Sequence, residues 1–291
     1  MNKKNLIPIL AGIVLLAAAL ACETSAKDTP AAPTPEPATQ VSASPTPQPT
    51  ASPAPTQASG ITVSYKGTSF SIADNTLATG AKTETIAKID DQNGAPWDVA
   101  PEHLKFTLDG YQGDSQMGPP TIYVYPAADY EAVSNGAAIN LQRLRAIISG
   151  AGMDINNNTV PFVPFYNATQ TLLAQPMQIK FKTGSGIRTV TQYDQAPIPV
   201  NNKELIYHFQ GLTADGQYYI IAIFPINAAM LVADGNPSSP VPPGGIAFNQ
   251  SDPMSYFKAV TEKLDALSPD AFSPSLTTLD NLIASLNVTA P

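Results

Sequence analysis

Between Glu23 and Ser59 the chain is built mainly from proline, threonine, serine, alanine and glutamine, and Val41 is the only large apolar side chain in the stretch. Such a segment cannot bury enough apolar surface to offset the entropy of ordering it. The folding unit is therefore expected to begin near Gly60, where the composition changes. The roughly 230 residues that follow are enough to bury about 70% of the surface their unfolded chain exposes. Repeated pairs such as Thr34-Pro35, Ser44-Pro45, Thr46-Pro47 and Ser52-Pro53 favour polyproline II, which rises about 3.1 Å per residue, so residues 22–59 read as an extended stalk with a reach on the order of 100 Å.

Upstream of the stalk, Lys3 and Lys4 precede an apolar run from Leu6 to Ala21 that Pro8 interrupts near its start. The run is short for a bilayer-spanning helix, which needs about 20 apolar residues, and it has the three-part build of a cleaved secretory signal over residues 1–21. Its end, Ala19-Leu20-Ala21-Cys22, resembles the lipobox of bacterial lipoproteins, although Ala19 and Leu20 stand in swapped places. The resemblance implies a lipid (palmitate included) on Cys22 and a membrane anchor on the extracytoplasmic face of a cell membrane. Cys22 is the only cysteine, so the domain is expected to hold no disulfide and no thiolate metal site. The formal charge is -8, and removal of the two signal lysines takes it to about -10. That balance argues against nucleic acid and anionic lipid surfaces as partners.

After Gly60, apolar and β-branched residues alternate with polar ones in short runs, the pattern of strands. The clearest are residues 61–65, 69–72, 104–108, 121–125, 177–181, 187–193, 205–210 and 217–224. Two hairpins are predicted, one turning at Gly184-Ser185-Gly186 and one at Thr213-Ala214-Asp215-Gly216. In Tyr218 to Phe224 both alternating faces are apolar, which predicts a central strand covered on both sides. Three helices are expected: residues 137–149, with Leu141, Leu144, Ile147 and Ile148 inward; residues 253–267, capped by Ser251 or Asp252; and one beginning at Ser273-Pro274 that carries Leu276, Leu279, Leu282, Ile283 and Leu286. The expected architecture is a single α+β domain over 60–291, an antiparallel sheet of about six to eight strands packed by about three helices.

Several short matches invite chemistry. Lys182-Thr183-Gly184 and Ser255-Tyr256-Phe257-Lys258 resemble two signatures of penicillin-interacting serine enzymes, but their order along the chain is reversed and the middle motif is absent. A hairpin turn and a first helical turn account for them better. Asp154-Ile155-Asn156-Asn157-Asn158 starts like a calcium loop, then places Thr159 where a glycine is needed and Phe165 where a bidentate glutamate is needed. An asparagine-rich turn fits it better. Asp90-Asp91-Gln92-Asn93-Gly94 reads the same way. His103 and His208 are too far apart in sequence for a local zinc pair, and no phosphate-cradling loop is present. No metal, no cofactor and no catalytic residue is expected from these patterns.

Tyrosine is what remains. Tyr111, Tyr123, Tyr125, Tyr193, Tyr207, Tyr218 and Tyr219 lie on or beside predicted strands. Half-buried sheet packing explains most of them. The ring and amide groups of Tyr193, Asn201, Asn202 and Tyr207, with Arg188, Gln192 and Glu204 nearby, form the candidate ligand platform for a sugar, a cell-wall glycan or a peptide.

Over residues 61–287 the chain resembles a group of uncharacterised bacterial surface lipoproteins, at Ala95-Pro96-Trp97, Lys105 to Tyr111, Ile122 to Pro126, and Asn202 through Tyr207-His208-Phe209-Gln210-Gly211-Leu212 to Phe224-Pro225. That group carries no assigned activity. The sheet closed by a Leu-Asp-Asn-Leu-Ile-Ala-Ser-Leu helix is also similar to the PsbP-type arrangement. The reading is a membrane-anchored extracytoplasmic binding or interaction module without catalytic chemistry. Two others stay open: a cell-wall or polysaccharide hydrolase, which needs two carboxylates converging on a groove, and a solute-binding lipoprotein of a transporter, which needs two similar lobes.

Overall fold

The computed structural model describes residues 60–73, 76–90, 98–113, 115–150 and 154–290. Cys22, the signal, the stalk, Trp97 and Asp91 to Gly94 lie outside the described residues. The described part is an α+β arrangement centred on a seven-stranded antiparallel sheet.

In chain order the elements are β1 (Ile61–Tyr65), β2 (Thr68–Ile72), β3 (Gly80–Ile86), β4 (His103–Asp109), β5 (Thr121–Pro126), α1 (Ala127–Val133), α2 (Asn135–Ile148), β6 (Thr169–Phe181), β7 (Gly184–Asp194), β8 (Ile206–Thr213), β9 (Tyr218–Pro225), β10 (Asn227–Ala228), α3 (Pro253–Asp265), β11 (Phe272–Ser273), α4 (Leu276–Ala284) and β12 (Asn287–Val288). The large sheet runs β3-β4-β5-β9-β8-β7-β6. A small sheet of order β1-β2-β12 packs beside it, and β10 pairs with β11.

β9 lies in the middle, as its two apolar faces predict. Ile220, Ala222 and Phe224 enter one core, with α3, α4 and the small sheet. Tyr219, Ile221 and Ile223 enter the other, with α1 and α2. The period-2 alternation of a strand thus feeds two layers, and the large sheet is covered on both faces.

The helices start where their caps dictate. Ser134 Oγ accepts from Ala137 N at the head of α2, Asp252 accepts from Ser255 N at the head of α3 with Pro253 next, and Ser275 accepts from Thr278 N at the head of α4. The third expected helix is shorter than its leucines suggested: Ser273 belongs to β11, and Leu286 is buried beyond the end of α4. α3 ends against a bulge in β6. Gln175, at φ 53° just before Pro176, sends its side-chain amide to the Leu264, Asp265 and Leu267 carbonyls, which closes the helix terminus.

One predicted turn moves. Gly184 and Gly186 lie inside β7, and the hairpin turns at Lys182 and Thr183. The glycines are there for close approach: a Cβ on Gly186 would lie 2.2 Å from the Gln210 carbonyl oxygen and 2.6 Å from the Phe209 ring.

Candidate functional site

The predicted platform does not exist as an exposed surface. Tyr193, Asn201 and Tyr207 are 3%, 0% and 0% exposed, and Asn202 is half-buried. Register explains the correction. β7 and β8 pair with Val190 opposite Tyr207, so Tyr193 on β7 faces the α1–α2 core while Tyr207 on β8 faces the α3–α4 core. The two rings lie on opposite faces of the sheet. Asn202 ties loops together, accepting from Ala228 N at 2.8 Å and donating to Leu231 O at 3.3 Å. Arg188, expected beside the platform, is buried in a bidentate pair with Asp280, at 3.3 Å from Nε and 3.1 Å from Nη2, and Tyr207 Oη donates to the same carboxylate at 2.9 Å.

Other residues from the expected neighbourhood do converge. Gln192 Nε2 donates to Asp194 Oδ2 at 2.9 Å and to Glu204 Oε2 at 3.4 Å, so one amide bridges two carboxylates. Asn201 supports both ends of this arrangement. Its backbone N–H donates to Gln192 Oε1 at 2.9 Å and its side chain to Glu204 Oε2 at 2.6 Å. Thr171 Oγ1 adds a 2.5 Å bond to Asp194 Oδ2. Gln192, Asn201 and Asp194 are buried, and Asp194 with the half-buried Glu204 borders an open depression of about 480 Å³.

The same depression is also lined by Met117, Tyr166 and Tyr193. Tyr166 is half-buried and its ring lies 4.9 Å from that of Tyr193, which in turn packs 4.7 Å from Phe162. On one side Tyr166 is shared with a second depression of about 460 Å³ that also contains Phe162 and Phe165 at the head of α2. On the other side Asp194, Gln195 and Ala196 are shared with a third of about 270 Å³, bordered by Asn157, Thr169, Gln170 and Met254. The three depressions thus share bordering residues, Tyr166 between the first and second and Asp194, Gln195 and Ala196 between the first and third.

The electrostatics follow from burial. Desolvation raises Asp194 above the usual carboxylate value; the hydrogen bonds from Thr171 and Gln192 oppose this, and the neighbouring Glu204 charge adds to it. Burial also holds the Tyr166 hydroxyl above its ordinary value, so it stays protonated and able to donate at neutral pH. Behind the groove, His208 Nε2 lies 3.0 Å from Val163 O and Nδ1 lies 3.3 Å from Tyr193 Oη. The carbonyl accepts the Nε2 proton and leaves Nδ1 to accept from the tyrosine. Desolvation pushes this imidazole down to about 4, so it is a neutral strut that fixes the Tyr193 ring.

The remaining motifs take structural places. Lys182-Thr183 forms a hairpin turn and Ser255 to Lys258 lies in the first turns of α3. Residues 154–159 form a turn in which Thr159 Oγ1 donates to Asp154 O at 2.5 Å and Asn158 N donates to Asn156 Oδ1 at 2.9 Å. Among the described residues no group of three or more His, Cys, Asp or Glu is placed to hold a metal ion, and no helix is long and apolar enough to cross a membrane. Sequence reading named Glu204, Gln192 and Asn201 but missed Tyr166, Phe162 and Asp194. Tyr166 and Phe162 lie in the irregular stretch 160–168, where no periodicity marks a ring as facing outward. Compared with known proteins, the chain matches no family model, no curated protein and no solved structure.

Proposed function

We propose that this chain is a lipid-anchored extracytoplasmic binding module, held by Cys22, and that the groove around Tyr166, Asp194 and Glu204 takes a strand of neutral, hydroxyl-rich ligand such as a cell-wall or extracellular glycan. The observation that supports this reading is that the half-buried Tyr166 lines one open depression together with two carboxylates, Asp194 and Glu204. A sugar presents an apolar face that stacks on a ring and a rim of hydroxyls that donate to carboxylates, and this arrangement offers both. A peptide strand would instead pair with the backbone of an edge strand; the start of β6, at the edge of the large sheet, borders the neighbouring depression at Thr169 and Gln170, so a peptide is the competing ligand that the retention test must exclude.

The test is retention of the full chain on insoluble cell-wall polysaccharide, with thermal unfolding measured alongside. Tyr166→Ala is expected to lower retention per folded molecule about tenfold or more, with some fall in melting temperature because the ring also packs against Tyr193 and Phe162. Unaltered retention in that variant would remove the groove from consideration. Cys22→Ser tests the anchor in the same preparation: the variant is expected to stay unprocessed or to leave the membrane fraction, and processed protein that remains with membranes would refute lipidation.

The carboxylate pair favours a second reading, a glycan hydrolase. Asp194 and Glu204 meet the same amide nitrogen, which brings them within the separation, below about 10 Å, at which glycosidases place their two acids. Release of reducing ends from the retained polysaccharide separates this reading from binding alone.

A further inference from the structure

The two edges of the large sheet are built differently. β6 is interrupted: its pairing with β7 shifts register twice, Pro176 removes a backbone donor, and Asn157 Nδ2 donates to the Gln170 carbonyl at 3.2 Å. Just past its end, Lys182 N donates to Leu286 O. β3, at the other edge, has none of these devices. It pairs with β4 over seven consecutive residues, from Gly80 opposite Asp109 to Ile86 opposite His103, without a bulge or a proline.

The outer side of β3 is open. No second strand joins it, and no described segment other than β4 hydrogen-bonds to its backbone. The β1–β2 hairpin hydrogen-bonds to it only through side chains, Tyr65 Oη and Lys66 Nζ, which meet Thr85 Oγ1 at 3.0 and 2.8 Å. A regular row of unpaired N–H and C=O groups is a template for one more strand.

The charges on β3 indicate which strand that is. Lys82 and Glu84, two residues apart, share a face and form an ion pair at 2.9 Å, and Lys105 of β4 stands opposite Glu84. In antiparallel pairing with a second copy about a two-fold axis at Thr83, Lys82 of each copy would face Glu84 of the other. Signs then alternate across the join, from Lys105 to Glu84 to Lys82 of the second copy. An axis at Lys82 or at Glu84 would instead set like charges against each other, so the pattern favours one register. We infer that β3 is an interface with a second copy of this chain, centred on Thr83 and joining the two large sheets into one. Pairing of a single strand is a small contact, in the class below about 1,200 Å² that marks transient association. The dimer therefore forms where copies are concentrated, as they would be on a membrane surface under the anchor proposed above.

Cross-linking of the full chain in membranes tests this. Directly opposite residues of antiparallel strands have Cα atoms about 4.5 or 5.5 Å apart, and a disulfide spans about 4.4–6.8 Å. Thr83→Cys is therefore expected to give a disulfide-linked dimer under mild oxidation. The parent chain, whose only cysteine is Cys22, sets the background, and Lys258→Cys on the exposed face of α3 reports random collision; both are expected to give far less. With Thr83→Cys in place, Lys82→Glu and Glu84→Lys are each expected to lower the yield about tenfold, since each turns two attractive pairs into repulsive ones. Differently tagged copies of the two reversal variants, expressed together, are expected to cross-link to each other at the original yield, because two glutamates then face two lysines. A folding defect would not be rescued by mixing. No dimer from Thr83→Cys, an equal yield from Lys258→Cys, a product whose mass is not twice that of the chain, or reversals without effect would each overturn the inference.

Discussion

Two polar clusters share β7 and resolve the same problem differently. Toward the middle of the strand, Arg188 is sealed beneath α4 with Asp280, and Tyr207 and the Gln175 carbonyl take up the remaining bonding capacity. At the end of the strand, Asp194 and Glu204 carry charges of the same sign, share one amide and open onto a groove. The first cluster is complementary and closed, as expected of a structural fastening. The second keeps two acids close together, an arrangement with an electrostatic cost that hydrogen bonds from Thr171, Gln192 and Asn201 offset only in part. A like-charged pair kept at a solvent opening has a physical use when something arrives to bind it.

The comparison is broken most forcefully at Arg188. Arg188→Met keeps the length and apolar contacts of the side chain but leaves the Asp280 carboxylate facing Tyr207 without its counter-ion. Removal of one member of a buried pair costs about 3–5 kcal/mol, and a loss of that size in urea denaturation is expected, with polysaccharide retention per folded molecule unchanged. A loss below about 1 kcal/mol would mean that solvent reaches the pair and that the contrast between the two clusters is overstated.

A smaller effect is expected from His208, which stands behind the groove. Its unfolded value is near 6.5 and its folded value is pushed to about 4 by burial. The folded state favours the neutral ring, so this contribution to stability is complete above pH 6.5 and is lost as pH falls toward 4. The difference is worth about 3 kcal/mol on the free-energy scale of protonation. Unfolding free energy should therefore decline across that window in the parent chain, and the decline should be shallower in His208→Gln. Parallel curves for the two proteins would show that the imidazole is not desolvated as its surroundings imply.

How much of this was legible in the sequence varies element by element. β9 could be read as central because Tyr218 to Phe224 is apolar on both alternating faces, and the start of α3 could be read because Asp252-Pro253 carries both a cap and a first-turn proline. α1 escaped notice because seven residues with only Ala127 and Tyr130 buried show too little periodicity. Glycine misled at Gly184 and Gly186, where it serves close packing, against Phe181 and the Leu212 carbonyl at Gly184 and against Phe209 and the Gln210 carbonyl at Gly186, and not a turn. The ligand platform failed for a deeper reason. Tyr193 and Tyr207 look equivalent along the chain, yet which face each ring takes depends on strand parity and register, and a single sequence gives neither. The groove that replaced the platform keeps Glu204, Gln192 and Asn201 from the same neighbourhood and recruits Tyr166 from a loop.

The smallest expected change in stability, and the sharpest test of the contrast, is at Asp194. Asp194→Asn keeps the shape and an oxygen able to accept from Thr171, and removes only the charge. In the parent chain the folded value of Asp194 lies above 3.8 because burial disfavours its ionised form. Below its unfolded value the group is protonated in both states and the variant should unfold like the parent. As pH rises through the raised folded value, the parent must ionise a desolvated acid beside Glu204 and loses stability that the variant keeps. The variant is therefore expected to be equal to the parent near pH 3 and equal or slightly more stable at pH 7, by about 1 kcal/mol or less. Retention should move the other way. Hydrogen bonds to a charged acceptor are worth about 1.5–3 kcal/mol, so loss of the carboxylate should weaken glycan binding roughly tenfold or more at neutral pH while the fold gains. A variant that loses both stability and retention would class Asp194 with Arg188 as a fastening, and the two clusters would then differ only in how far each is buried.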